Sequence, residues 1–223
     1  MGDVSVDQTL DAAWAIDWLR RSAAVIAENR VMLIELDREI GDGDHGENMD
    51  RGFQAILVKL AEGEPETPGA VFKLAAMTLM SKVGGAAGPL YGTAFLRAAT
   101  AAGDEAGLDA GLLAAALTAG RDGVVARGKA AVGEKTMIDA WTPAVDAAAA
   151  AAAGGAGPAE LLDAAATAAR SGAVSTEPLI ARKGRASYLG ERAIGHRDPG
   201  AESSALILRA AADAAAAIPG AGA

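Results

Sequence analysis

Gly41-Asp42-Gly43-Asp44-His45-Gly46 follows the charged segment Glu35-Leu36-Asp37-Arg38-Glu39 and leads into Met49, Phe53, Ile56, Leu57 and Leu60, which are apolar positions at helical spacing. The run is thus a glycine-rich loop between two helices rather than a turn after a strand. Asp37, Asp42 and Asp44, set among three glycines, oppose packing, because such residues are costly to bury and weak in any regular element. Hard cations take carboxylate oxygens, and Mg²⁺ in phosphate sites takes one or two of them beside waters and the phosphates. The helix that starts after the loop offers free N–H groups and a positive dipole end to the same anion. The stretch reads as a magnesium–polyphosphate site.

Outward from this loop the chain reads as all-helical, since strand-period alternation of Val, Ile and Thr is almost absent while alanine is abundant. Helix one opens at Ser5 with Gln8 as a capping box and carries the stripes Trp18/Val25/Met32 and Leu19/Ile26/Leu33 to about residue 36. Its two tryptophans read as core. Helices two to four are expected at about 46–62, 68–83 and 89–102, with Thr67-Pro68 and Pro89 as starts and Gly103 as a stop. Helices five and six come next, at about 108–127 and 136–152, the latter kinked at Pro143. Helix seven runs from Pro158 to about Lys183 with a break near Ser171-Gly172, and helix eight from Pro199 to about 217. Alanine-rich faces in helices five to eight imply close backbone approach.

Short connections make successive helices antiparallel, so alternate loops fall at one end of an up-and-down bundle. Connections one, three, five and seven are 37–46, 84–88, 128–135 and 184–199, and they hold nearly all the glycine-rich and charged special sequence. The even connections, 63–67, 103–107 and 153–157, are ordinary Gly/Pro/Glu turns. The unusual loops are therefore expected to meet at one end. That meeting is stronger evidence for a site than any single loop.

The composition narrows the partners. At 223 residues the chain is expected to be one domain spanning 1–223. A net charge of −9 without a Lys/Arg cluster argues against nucleic acid, whose affinity is mostly phosphate neutralisation. The lack of cysteine removes disulfide and thiolate chemistry, and no stretch reads as a signal or a membrane span, so a soluble, cytoplasmic protein is expected.

Three familiar motifs fail on context. Gly41-x-Gly43-x-x-Gly46 lacks the preceding strand and following βαβ unit of a dinucleotide fingerprint. An EF-hand would place Gly46 at an acidic position and needs a last glutamate that is missing. Gly128 to Thr136 is one residue too long for a P-loop, with Glu134 inserted before Lys135. Bland readings exist for the first loop too: Asp44 as a helix N-cap, Asp37 as a solvated helix end, Asp42 as a turn residue, His45 as a surface histidine. His196 reads as a peripheral loop residue, and Arg185 as either a solvated charge or a fork of donors for polyphosphate.

Four separated blocks resemble the nucleotide-binding L subunit of dihydroxyacetone kinase: Leu36-Asp37-x-x-Ile40-Gly41-Asp42-Gly43-Asp44-His45-Gly46-x-Asn48-Met49-x-Arg51-Gly52-Phe53; Gly84-Gly85-Ala86-x-Gly88-Pro89-Leu90-Tyr91-Gly92-Thr93; Lys135-Thr136-Met137-x-Asp139-Ala140; and Gly184-Arg185-Ala186-Ser187-Tyr188-Leu189-Gly190 with Gly195-His196-x-Asp198-Pro199-Gly200-Ala201. The resemblance implies an eight-helix antiparallel bundle or barrel holding ADP or ATP at one end. It implies two Mg²⁺ on Asp37, Asp42 and Asp44. Nucleotide contacts are implied at His45, Gly46, Glu47 and Asn48, at Ala86 and Ala87, at Gly128, Met137 and Arg185, and at Asp198, Pro199 and Gly200. The family usually has serine where this chain has Ala87, so a phosphate contact there would fall to backbone amides. The implied chemistry is phosphoryl transfer to dihydroxyacetone held on a separate K subunit. In the phosphotransferase-system branch, favoured by a free-standing L chain, a phosphohistidine protein recharges the bound nucleotide. Two other classes stay open: a kinase for another small keto-sugar or polyol, and a non-enzymatic nucleotide-binding regulator of a transcription factor.

Overall fold

A computed structural model describes residues 9–218, and the expected Ser5/Gln8 capping box lies outside the described residues. Within them the helices are α1 (Ala12–Glu28), α2 (Arg30–Ile40), α3 (His45–Glu62), α4 (Pro68–Lys82), α5 (Ala87–Ala102), α6 (Ala110–Gly128), α7 (Ile138–Ala153), α8 (Pro158–Ser175) and α9 (Pro199–Ala216). A short 3₁₀ segment covers Arg185–Ala193, and two two-residue strands, β1 (Leu10–Asp11) and β2 (Gly107–Leu108), pair antiparallel.

Each helix packs on its neighbours in sequence, and α9 returns to α1, so the helices close a ring. The ring has the eight expected rods, but the first is divided, giving nine α-helices among the described residues. The division falls at Asn29, whose side-chain amide donates to Val25 O at 2.8 Å. Val25 O also takes the Asn29 backbone N–H at 3.1 Å, so side chain and backbone share one carbonyl where α1 ends, a local side-chain bond of the kind that bends helices. Asp11 rather than Ser5 caps α1 within the described residues, accepting from Trp14 N at 3.1 Å.

Two further expectations change. The α8 helix runs unbroken through Gly172, where a Cβ would lie 2.2 Å from Asp139 O; the glycine serves close packing on α7 rather than a break. It ends at Ser175, eight residues short of Lys183, and the chain then continues as loop and 3₁₀ turn. The α5 helix starts at Ala87, two residues ahead of Pro89, which is tolerated because first-turn N–H groups have no helical acceptor.

The core confirms the reading of the tryptophans. Trp14 stacks on Trp18 at 5.4 Å, and Phe72 and Phe95 complete an aromatic cluster. Both indole N–H groups donate to carbonyls of α9, Trp14 to Ala211 and Trp18 to Ile207. Such partners remove the cost of burying a polar tip. Elsewhere the ring closes on alanine: Ala144, Ala148, Ala165, Ala169, Ala211 and Ala215 are buried, and the backbones of α7, α8 and α9 approach accordingly. No described helix is long and apolar enough to cross a membrane.

Candidate functional site

The two ends of the ring differ as the loop order predicts. At one end β1 pairs with β2, and a Cβ on Gly69 would meet Gly103 O at 2.1 Å, so the N-termini of α1, α4 and α6 and the turn after α5 lie together. At the other end the four unusual loops touch one another. Arg185 reaches Asp42 at 3.0 Å, His196 lies 3.9 Å from Glu39, and Asn48 Oδ1 lies 3.0 Å from where a Cβ on Gly84 would sit. Arg182 N donates to Glu134 O at 3.1 Å, and a Cβ on Gly200 would lie 3.5 Å from that of Met137.

The carboxylates of Asp37, Asp42 and Asp44 each offer an oxygen within 4.8 Å of the others. Asp37 is only 9% exposed, so it is no solvated helix end. Its Oδ2 accepts from the backbone N–H groups of Asp44 (2.9 Å) and His45 (3.1 Å), folding the loop back over the end of α2. A Cβ at residue 41 would lie 2.1 Å from Asp37 Oδ1, so Gly41 leaves that oxygen its space. Burial raises the Asp37 pKa, and Asp42 and Asp44 raise it further against the two amide bonds. Asp44 sits at the N-cap of α3 but makes no side-chain capping bond, which leaves its carboxylate for another partner. Three hard oxygen donors crowded at this range, two of them exposed, fit a divalent cation.

Around them stand the other expected residues. His45 and Gly46 are buried in the first turn of α3; a Cβ on Gly46 would strike Arg30 O at 2.2 Å, so only glycine lets α3 start this close to α2. Burial lowers the His45 pKa to about 4, which keeps the ring neutral and excludes a surface histidine. Its Nε2 bonds Ser203 Oγ at 2.8 Å. Glu47 is exposed and pairs with Arg30, whereas Asn48 is buried and bonded by Arg51, whose Nε also holds Lys82 O at 3.0 Å. Ala86 is the N-cap and Ala87 the first residue of α5; neither has a side-chain cap, so backbone N–H groups face outward there. Gly128 ends α6, exposed, against Leu90. Arg185 is 71% exposed, so its pair with Asp42 contributes little to stability and its donors are accessible.

Lys135, for which the sequence suggested no role beyond a failed P-loop, is 1% exposed. Its ammonium donates to Thr176 O at 2.6 Å, to Glu177 O at 3.3 Å and to His196 O. It is a strut that joins the fifth loop to the seventh. Asp139, also buried, accepts from Gly133 N (2.5 Å) and Thr136 N (2.8 Å) and so closes the loop beneath Met137. Asp198 caps α9 through Ala201 N at 2.7 Å, with Pro199 buried behind it and Gly200 half-buried beside Met137. Enclosure by protein pushes the Asp198 pKa up to about 7, with Asp139 adding to it and Lys135 opposing. Lys135 and Asp139 stand in the third of the four sequence blocks, so position marked them although no role did. Ser203 and Ser204 carried no signal, being two serines in an alanine-rich helix.

A ring of helices with an acidic, amide-rich mouth is the class these observations define. The chain belongs to the DAK2 domain family, whose model matches residues 39–213, and within it to the family of the dihydroxyacetone kinase L subunit that the sequence blocks resemble. It is 48% identical over 202 residues to "PEP-dependent dihydroxyacetone kinase 1, ADP-binding subunit DhaL" of Listeria innocua, covering 91% of this chain and 96% of that protein. It is 44% identical over 207 residues to the "PEP-dependent dihydroxyacetone kinase, ADP-binding subunit DhaL" of Escherichia coli, covering 93% and 99%. The crystal structure of the dihydroxyacetone kinase of C. freundii in complex with AMP-PNP and Mg²⁺ matches with a TM-score of 0.68 at 25% identity, over 96% of this chain and 36% of that one. The chain thus spans about a third of that longer kinase.

Proposed function

We propose that this chain is the ADP/ATP-binding phosphoryl-transfer subunit of a dihydroxyacetone kinase, acting on dihydroxyacetone held by a separate K subunit, with the nucleotide recharged by a phosphohistidine protein of the phosphotransferase system. The observation that carries the reading is the Asp37/Asp42/Asp44 cluster at the meeting point of four loops. It is supported by near full-length similarity to proteins named as ADP-binding subunits. On this reading residues 1–223 form one cytoplasmic nucleotide-binding domain that engages neither membrane nor nucleic acid.

Asp37, Asp42 and Asp44 would hold two Mg²⁺, which when bound supply charge neutralisation on the transferring phosphoryl group. The chain itself positions and screens. The N-terminal amides of α5 at Ala86 and Ala87 and the amides of Gly46 and Glu47 would face phosphate oxygens, the Asn48 side chain would stand beside them because its own N–H is spent on Asp44 O at 2.9 Å, and the Arg185 guanidinium would close over them. Met137, Gly128 and the Asp198-Pro199-Gly200 turn hold the nucleoside. In a loose transition state this is most of the catalytic work, because charge must be stabilised rather than bonds made by the protein. The acceptor stays open to one specific alternative. The chain is also 36% identical over 188 residues to the "L-erythrulose 1-kinase" of Mycolicibacterium smegmatis, of which it covers 33%. A different keto-sugar would change the partner and leave this site unaltered.

The test compares the two ends. Gly85→Val, at a φ of +63° where a branched side chain is strained, and Arg185→Ala should each weaken ADP binding several-fold. Glu64→Ala and Glu105→Ala, in the opposite loops, should leave it unchanged. Damage from the second pair with none from the first would reject the one-ended site.

A further inference from the structure

We propose that a one-way run of buried hydrogen bonds fixes His45 with its proton on Nε2, so that Nδ1 meets the bound magnesium–nucleotide as an acceptor and not as a phosphate donor. Naming what Nδ1 meets rests on the function proposed above. The tautomer itself rests on geometry alone. His45 Nε2 contacts Ser203 Oγ at 2.8 Å, Ser203 Oγ contacts the Tyr91 hydroxyl at 2.7 Å, and that hydroxyl contacts Ser204 Oγ at 2.8 Å. Trp141 Nε1 reaches Ser204 Oγ at 3.1 Å, and Ser204 Oγ lies 2.7 Å from Gly200 O. Ser203 and Ser204 are 0% exposed and Tyr91 is 1%, so water cannot complete these bonds.

Two groups in the run have a fixed sense. The indole N–H of Trp141 can only donate, and Gly200 O can only accept. Ser204 therefore receives from Trp141 and gives its hydrogen to Gly200 O. Its remaining contact must then be filled by the Tyr91 hydrogen, Tyr91 must receive from Ser203, and Ser203 must receive from His45 Nε2–H. Each of these five contacts then holds one hydrogen; the Tyr91 hydroxyl and Ser203 Oγ also lie 3.1 and 3.2 Å from Gly200 O, but giving either hydrogen to those longer contacts would empty one of the oxygen pairs at 2.7–2.8 Å. In the reverse sense only four hydrogens are available, and one oxygen pair at 2.7–2.8 Å is left without any, which is repulsive in a buried site.

Among the described residues Nδ1 has no hydrogen-bond partner, and it is not among the sealed polar atoms, so it keeps some exposure. The His45 backbone N–H donates to Asp37, which puts the residue on the carboxylate side. A bare Nδ1 there suits a water carried by Mg²⁺, which retains several waters in phosphate sites. Tyr91, Ser203 and Ser204 are then positioning residues. They also tie α3 to the Gly200 turn through α5 and α9, so that the two halves of the proposed nucleotide site move together.

The chain has only two histidines, so long-range ¹H–¹⁵N spectra of protein labelled at histidine separate them, with His196→Gln assigning the pair. The free protein should show His45 in the Nε2–H pattern. Ser203→Ala and Tyr91→Phe should each collapse it to an average of both tautomers, and Ser203→Thr, which keeps the hydroxyl, should restore it. An Nδ1–H pattern in the free protein, or the same pattern in all variants, overturns the proposal. Adding ADP with Mg²⁺ should leave the Nε2–H pattern in place. Conversion to Nδ1–H or to a doubly protonated ring would show a phosphate donor and overturn it as well. If the protein failed to bind ADP in calorimetry, the functional reading would fall while the tautomer result stood.

Discussion

Replacing Asp42 or Asp44 by asparagine should lower Mg²⁺-dependent ADP affinity at least about tenfold, equivalent to about 1.4 kcal/mol, with no change in helical circular dichroism. Both side chains are exposed, and neither carries the fold: Asp42 pairs only with the long, exposed Arg185 among the described residues, and Asp44 makes no capping bond. An amide keeps the shape and removes the charge, so the loss falls on cation binding. Asp37 is the wrong residue for this test, since its Oδ2 also accepts the amides of Asp44 and His45 and its loss would loosen the loop. Calorimetry with and without EDTA reads the difference. Wild-type affinity in either variant would refute the metal assignment.

Lys135→Met should produce the largest loss of stability, about 3 kcal/mol, which is the scale for removing one side of a buried charged arrangement. Methionine fills the volume but leaves the carbonyls of Thr176, Glu177 and His196 without their shared donor, and Asp198 without the cation that opposes its raised pKa. For a chain of this size that corresponds to a midpoint about 6–12 °C lower in thermal unfolding. Lys135→Arg should not rescue it, because a planar fork cannot reproduce three ammonium bonds at a residue that is 1% exposed. A shift of under about 1 kcal/mol, the net value of one ordinary hydrogen bond, would show that the strut is dispensable.

Much of this architecture was legible because its causes are local. Thr67-Pro68, Pro158 and Pro199 mark helix starts by chemistry that acts within one turn, and the structure begins α4, α8 and α9 there. The meeting of the four unusual loops at one end was legible because alternation of short connections is a counting argument that holds whichever helices kink. Features that depend on a distant partner were not legible. Gly172 looked like a helix break and proved to be a contact with α7, a distinction that requires knowing what lies across from it. The division at Asn29 coincides with a side-chain bond back to Val25 O, which the sequence does not announce. The run from His45 to Trp141 joins four helices through residues that individually read as core or filler. Lys135 was visible as a charge and invisible as a buried one, since only the folded loops bring three carbonyls to it.

The central claim is that this chain holds the phosphoryl donor and lacks the acceptor. Its two histidines lie in the mouth loops or next to them, one buried at the start of α3 and bonded to Ser203, the other beside Glu39, so both belong to the end proposed for the nucleotide. An open cluster of loops also lacks the water-excluded setting in which such electrostatic stabilisation is strong, and a partner surface would supply it. The direct measurement is dihydroxyacetone phosphate formation by the purified chain, with ATP or with a phosphoenolpyruvate-driven phosphotransferase relay, in the presence and absence of a K-type subunit. The account predicts no product from the chain alone and product once the K-type subunit is added; turnover of free dihydroxyacetone by the isolated chain with ATP would contradict it.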